Sequence, residues 1–151
     1  MPTGFHTLEV DVNIKDIWSF IHEIDNWAHL SPGYVSHEKI DDKRMMWTLD
    51  ADIGIMQKRV KIETKVLLRK EPNKIKFEFN SLTDNFSGNG IFHMEEITDN
   101  KTKIITNVHF QAKGVMGPMI NSIVQTILPK YAEEATEKVV KIIKEEISKT
   151  K

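Results

Sequence analysis

Cysteine is absent from all 151 residues. No disulfide, thiolate nucleophile or cysteine-bound metal is therefore available to this chain. Charge of one sign is missing as well: 21 basic side chains against 22 acidic ones give a formal net charge of −1. Without a basic excess there is no electrostatic footprint for nucleic acid. No uncharged apolar run reaches membrane-spanning length. The N-terminal residues Met1-Pro2-Thr3-Gly4 lack a basic stretch followed by an apolar one, so no signal peptide is expected. These absences set the expectation of a soluble, cytoplasmic protein. Neither a phosphate loop nor a nucleophile elbow is present. The six histidines, His6, His22, His29, His37, His93 and His109, are too scattered for a zinc-binding pair, so no metal and no cofactor is expected.

What the chain has is periodicity, and the residues from Gly114 to Lys149 show it best. Met116, Met119, Ile120, Ile123, Val124, Ile127, Leu128, Tyr131, Ala135, Val139, Ile142, Ile143 and Ile147 recur at steps of three and four. That spacing predicts one long amphipathic helix. Gly117 suits an N-cap with Pro118 in the first helical position, and Pro129 predicts a kink, because proline removes one backbone bond.

The preceding hundred residues read mostly with period two. Leu8, Val10 and Val12 alternate with Thr7, Glu9 and Asp11 in a first strand. Asn13 caps a short helix carrying Ile14, Ile17, Trp18 and Ile21, and Asp25 to Leu30 makes a second helical piece. Ser31-Pro32-Gly33 ends it. Tyr34 to Ile40 is a polar strand suited to an edge. Four longer apolar alternations follow, from Met45 to Ile53, Val60 to Leu68, Ile75 to Phe79 and Phe86 to Met94. A fifth, from Ile104 to Phe110, closes the series. Short turns such as Glu71-Pro72-Asn73 and Thr98-Asp99-Asn100-Lys101 separate them. About seven strands joined this way favour a single α+β domain over residues 1–151. In it an antiparallel meander curls around the long helix.

This order of elements resembles the helix-grip fold of the START and birch-pollen-allergen superfamily, also called SRPBCC. It is most similar to the G-type subunit of carbon monoxide dehydrogenase and to related polyketide cyclase-like proteins. The resemblance spans nearly the whole chain. It rests on Val12 through Asp16-Ile17-Trp18, on Ser31-Pro32-Gly33, on Ile53-Gly54, on Asn85-Phe86-Ser87-Gly88-Asn89-Gly90 and on Gly114. It implies a hydrophobic cavity between sheet and helix, used in such proteins for lipids, quinones, sterols or polyketides.

The inner strand faces supply the candidate lining. These are Trp47, Leu49, Ile62, Thr64, Phe77, Phe79, Phe86, Gly90, Phe92, Met94, Val108 and Phe110, with Met116, Met119, Ile120 and Ile123 opposite on the helix. Gly88 and Gly90 either let a bent strand coil or leave room for a ligand. An apolar lining without convergent polar groups suits binding better than chemistry. The expected role is to bind a small apolar molecule and carry it, with transient membrane contact or delivery to a partner enzyme. An accessory protein of a larger oxidoreductase and a polyketide cyclase-like enzyme are the competing readings. The entrance is expected near Ser31-Pro32-Gly33 and Gly114 to Pro118, where Val115 and Met116 form a greasy lip. No catalytic residue is identified.

Overall fold

A computed structural model describes residues 2–54 and 56–150. Seven strands form one antiparallel sheet: β1 (Thr3–Val10), β2 (Tyr34–Lys39), β3 (Arg44–Asp52), β4 (Gln57–Lys70), β5 (Lys74–Ser81), β6 (Phe86–Thr98) and β7 (Lys101–Ala112). Their spatial order is β1-β7-β6-β5-β4-β3-β2. The consecutive strands β2 to β7 form the expected meander, and the first strand returns to pair with the last. The polar strand β2 is one edge, as its sequence implies.

Between β1 and β2 lie helix α1 (Ile14–Ile21) and two single 3-10 turns, Ile24–Asn26 and Ala28–Leu30. The Asn13 side chain accepts from the Lys15 N–H at 2.8 Å, so the α1 cap forms as its residue type predicts. Its amide also donates to the Asp99 carbonyl and ties α1 to the β6–β7 turn. Ile14, Ile17, Trp18 and Ile21 are all buried.

Helix α2 (Gly117–Thr150) is a single 34-residue element that continues through Pro129. At about 1.5 Å per residue it is roughly 50 Å long, enough to cross the whole sheet. Gln125 and Pro129 are both exposed. The carbonyl that the proline leaves unpaired therefore lies on the solvent side, where water can satisfy it. The helix begins one residue earlier than expected. The Met116 carbonyl accepts from Ile120 N–H at 3.0 Å, so Gly117 is its first residue and Pro118 its second. Neither position needs a backbone donor.

The buried face of α2 mixes small residues with β-branched ones. Gly117, Val124, Ala132, Thr136, Val139, Val140 and Ile143 are buried, whereas much of the apolar stripe read from the sequence is only half-buried. Small side chains let the helix approach β1 and β7. A Cβ on Gly4 would lie 2.7 Å from the Leu128 carbonyl oxygen, so β1 and α2 meet there backbone to backbone. Asn121 brackets Ala112, accepting from its N–H at 2.8 Å and donating to its carbonyl at 3.0 Å. The Thr136 hydroxyl donates to the Ala132 carbonyl and is bonded to the Thr106 hydroxyl, all within the core.

Candidate ligand groove

The inner face of the sheet divides into a sealed half and a half-open half. In the sealed half Trp27, held in the link between the two 3-10 turns by its N–H bond to the Ile21 carbonyl, packs against three aromatic side chains. Its ring lies 6.1 Å from Trp47, 6.4 Å from Phe77 and 5.2 Å from Phe92, two of these contacts edge-on. Aromatic contacts of this kind add to the gain from buried area. Ile62, Val66, Ile75, Met94 and Ile104 complete this core with Val139, Val140 and Ile143 of α2.

In the other half, toward the start of α2, the side chains are apolar but only partly covered. Leu49, Phe79, Phe86, Val108 and Phe110 on the sheet, and Ile120, Ile123 and Ile127 on the helix, are all of intermediate exposure. Phe86 and Phe110 stack at 5.3 Å. α2 meets the sheet chiefly at β1 and β7, so the apolar side chains between its first turns and β3 to β6 are left partly uncovered. Tyr131 reaches across from the helix, with its hydroxyl 3.5 Å from the Asp52 carbonyl at the end of β3. We take these half-covered apolar side chains, between β3 to β7 and the first three turns of α2, as the candidate groove.

The expected lining residues fall into three groups. Trp47, Ile62, Thr64, Phe77, Gly90, Phe92 and Met94 are buried in or beside the sealed half. Leu49, Phe79, Phe86, Val108, Phe110, Ile120 and Ile123 border the groove. Met116 and Met119 are 49% and 46% exposed and lie at its rim, next to the fully exposed Val115. The space above the two strand glycines is occupied by protein. Phe77 pairs with Gly90 and Phe79 with Gly88 across β5 and β6. A Cβ on either glycine would overlap the facing phenylalanine ring. Each glycine thus accommodates an aromatic ring laid across the neighbouring strand.

Polar groups also face inward, and sequence reasoning missed them. Register pairs Tyr34 with Leu49 and His37 with Trp47, so both β2 side chains share the inner face. A bulge between Tyr34 and Ser36 shifts the alternation and hides this from the sequence. The Tyr34 hydroxyl lies 2.6 Å from His37 Nδ1, and His37 Nε2 lies 2.8 Å from Asp25 Oδ1. A carboxylate only accepts, so Nε2 carries a proton; in the neutral ring, Nδ1 then accepts from the tyrosine hydroxyl. His6 pairs with Thr106 and faces inward too, its Nε2 buried without a partner. Its parity with Leu8 and Val10 was the available signal. His93 falls on the outer face, as expected, since it alternates with the buried Phe92 and Met94. His29 is exposed.

Elsewhere, a polar hollow of about 430 Å³ sits at the β2–β3 turn, lined by Asp41, Asp42, Lys43, Arg44 and Lys65. It lies at the opposite end of β3 from the groove and consists of exposed residues. Asp41 folds back on this turn, and its carboxyl is held below its ordinary value by the Lys43 N–H and the Arg44 guanidinium. No group of three or more His, Asp or Glu among the described residues is placed to hold a metal ion. None of the described helices is long and apolar enough to cross a membrane.

One family model matches residues 1–148, so the chain belongs to a single family along nearly its whole length. The solved structures that resemble it include an aromatase/cyclase, a START superfamily protein and a norcoclaurine synthase. A conserved protein from Geobacillus kaustophilus superposes with a TM-score of 0.76 at 18% identity, over 95% of each chain. The Zhui aromatase/cyclase from Streptomyces sp. R1128 gives 0.72 at 9% identity, covering 96% of this chain and 94% of its own. Norcoclaurine synthase from Thalictrum flavum, solved as a point mutant with a transition-state analogue, gives 0.69 at 18% identity, over 95% and 94%. No curated protein matches in sequence. At these identities the likeness establishes the helix-grip fold and leaves the function to the site.

Proposed function

We propose that this protein binds a small hydrophobic molecule, of lipid, quinone or polyketide-like character, in the groove between α2 and the inner face of the sheet. The observation that carries this reading is the row of half-exposed apolar side chains, Leu49, Phe79, Phe86, Phe110, Ile120 and Ile123, next to a fully sealed core. A domain that can bury Trp27, Trp47, Phe77 and Phe92 has the means to close the rest. An open concave apolar surface is what a ligand site requires. The exposed lip of Val115, Met116 and Met119 supports uptake from, or delivery to, an apolar surface such as a membrane or a partner enzyme in the cytoplasm. Kinship with the G-type subunit of carbon monoxide dehydrogenase, carried by the motifs from Val12 to Gly114, belongs to this reading and is its route to an oxidoreductase partner.

A second reading, a cyclase-like enzyme, gains from one observation. Tyr34, His37 and Asp25 form a hydrogen-bonded chain on the inner face, so an inward ionisable group exists after all. In it, Tyr34 can take a proton from a ligand as its own passes to His37 Nδ1, leaving an imidazolium beside the Asp25 carboxylate. The first reading is tested by native mass spectrometry of the purified protein and analysis of its organic extract. A co-purifying apolar molecule supports it. If nothing co-purifies, and a panel of long-chain lipids and quinones leaves tryptophan emission unchanged, the reading fails.

A further inference from the structure

Among the described residues, three buried polar atoms on the inner face have no partner: His6 Nε2 on β1 and, together on β3 and β4, the indole N–H of Trp47 and the hydroxyl of Thr64. Thr64 is completely buried and Trp47 nearly so. Leaving such groups unpaired in an apolar interior is costly, and native structures seldom tolerate it without an occupant. The two are close neighbours. Trp47 pairs with Ile62 and Met45 with Thr64, so Trp47 and Thr64 are diagonal partners across β3 and β4 on one face. His37 stands directly opposite Trp47 on the edge strand, joined to Tyr34 and Asp25. All the inward polarity of the β2–β4 side is therefore gathered in one corner. That corner adjoins the groove, because Leu49 follows Trp47 along β3 and Phe79 pairs with Thr64 across β4 and β5.

We infer that the groove takes an amphiphile, an apolar body with an oxygen-bearing end, and that Trp47 and Thr64 hold that oxygen in the β2–β4 corner. This rests on the groove reading above and refines it. An indole N–H can only donate and a threonine hydroxyl can donate or accept. A carbonyl or hydroxyl oxygen satisfies both, whereas a hydrocarbon satisfies neither. The apolar body then extends along Leu49, Phe79 and Phe110 toward the lip at Met116. The corner thereby sets which end of the ligand enters first.

A matched pair of probes tests this: 2-acetylnaphthalene and 2-ethylnaphthalene, which share shape and differ by one carbonyl oxygen. Their dissociation constants are measured by calorimetry on the wild-type protein and on Thr64→Val and Trp47→Phe. The wild type should bind the ketone at least as tightly as the more hydrophobic hydrocarbon. Thr64→Val, which keeps the side-chain shape, should weaken ketone binding about tenfold and change hydrocarbon binding less than twofold. Trp47→Phe should do the same where it folds. Should Thr64→Val leave ketone binding unchanged, the corner is not a ligand site and the inference is overturned. The same holds if that variant merely raises the melting temperature, which would mark a water site. If both probes bind the wild type and the hydrocarbon binds more tightly, the inference fails while the groove reading stands. If neither probe binds, the groove reading fails first.

Discussion

Ile123 and Ile143 both belong to the apolar repeat read from the sequence, and the structure assigns them different environments. Ile143 is 2% exposed and packs into the sealed core, whereas Ile123 is half-buried and faces the groove. Truncating each to alanine separates the two halves of the inner face. Ile143→Ala removes three buried carbons and leaves a hole in tight packing, so it should cost about 3–4 kcal/mol. Ile123→Ala gives up only part of a transfer term and creates no closed cavity, since its surroundings are already open, so about 1 kcal/mol is expected. At about 2–4 °C per kcal/mol for a chain of this size, the two melting temperatures should differ by roughly 5–10 °C. Urea titration with equal slopes for both variants would show that the difference is in stability alone. Costs that agree within about 0.5 kcal/mol, the range of indifferent surface changes, would mean that α2 is equally sealed along its length. The groove would then not exist.

Four further outcomes follow from particular contacts. Thr136→Val strands the Thr106 hydroxyl and should cost about 1–3 kcal/mol, while the double variant with Thr106→Val should cost less than the sum of the singles; additivity in a double-mutant cycle would refute the buried pair. Gly88→Ala should destabilise more than Gly90→Ala in thermal melts, because its Cβ would meet the His109 backbone oxygen as well as a ring, whereas at Gly90 only the Phe77 side chain must give way. Asn121→Ala should lower stability by about 2 kcal/mol, since both its bonds to Ala112 are lost; a change near zero would show that this junction is held by the Gly117 approach alone. The Asp84 carboxyl is held below its ordinary value, first by its bond from Lys58 and then by the Thr83 hydroxyl. Its folded pKa is thus lower than its unfolded one of about 3.9, and its contribution is present above that pH and fades as pH falls through the folded value. Asp84→Asn should therefore cost under about 1 kcal/mol at pH 7 and almost nothing at about pH 2, where the aspartate is protonated in both states; an equal loss at both pH values would refute the charge-based account.

The fold was legible because its two periods do not overlap. Alternation in β3 to β7 and three-to-four spacing in α2 each carry enough repeats to outweigh local exceptions. Leu68 is such an exception: a bulge at Leu67 turns it out of the apolar row to a largely exposed position. The contact side of α2 was less legible, for a physical reason. Counting apolar residues finds Ile120, Ile123 and Ile127, but the fully buried positions of α2 include small or hydroxylated ones, Gly117, Ala132 and Thr136. A small or hydroxylated residue carries little hydrophobic signal, although it decides how near two backbones can come. Trp27 was equally hidden, since two single 3-10 turns have no period to reveal which way an indole points.

Those small residues also account for the groove. Because α2 settles onto β1 and β7 through Gly4, Ala132 and Thr136, it sits off-centre on a sheet seven strands wide. One helix of about 10 Å diameter then reaches the residues of β4 to β6 only where Val139, Val140 and Ile143 join the sealed core. The link around Trp27 fills one end of the uncovered area, and no element among the described residues fills the other. The same asymmetry leaves the β2–β4 corner beside the open end, with Tyr34 and His37 on its edge and the unpaired Trp47 and Thr64 groups behind them. Binding capacity in this domain thus follows from where the helix is allowed to be close. Enlarging that contact tests the dependence: Ala132→Leu should lift α2 away from β1 and β7 and alter the groove at a distance. It should cost about 1–3 kcal/mol through overpacking and change the affinity for 2-ethylnaphthalene severalfold, although residue 132 does not border the groove. Unchanged affinity in a folded Ala132→Leu variant would show that the groove is shaped by its own lining and not by the seating of the helix.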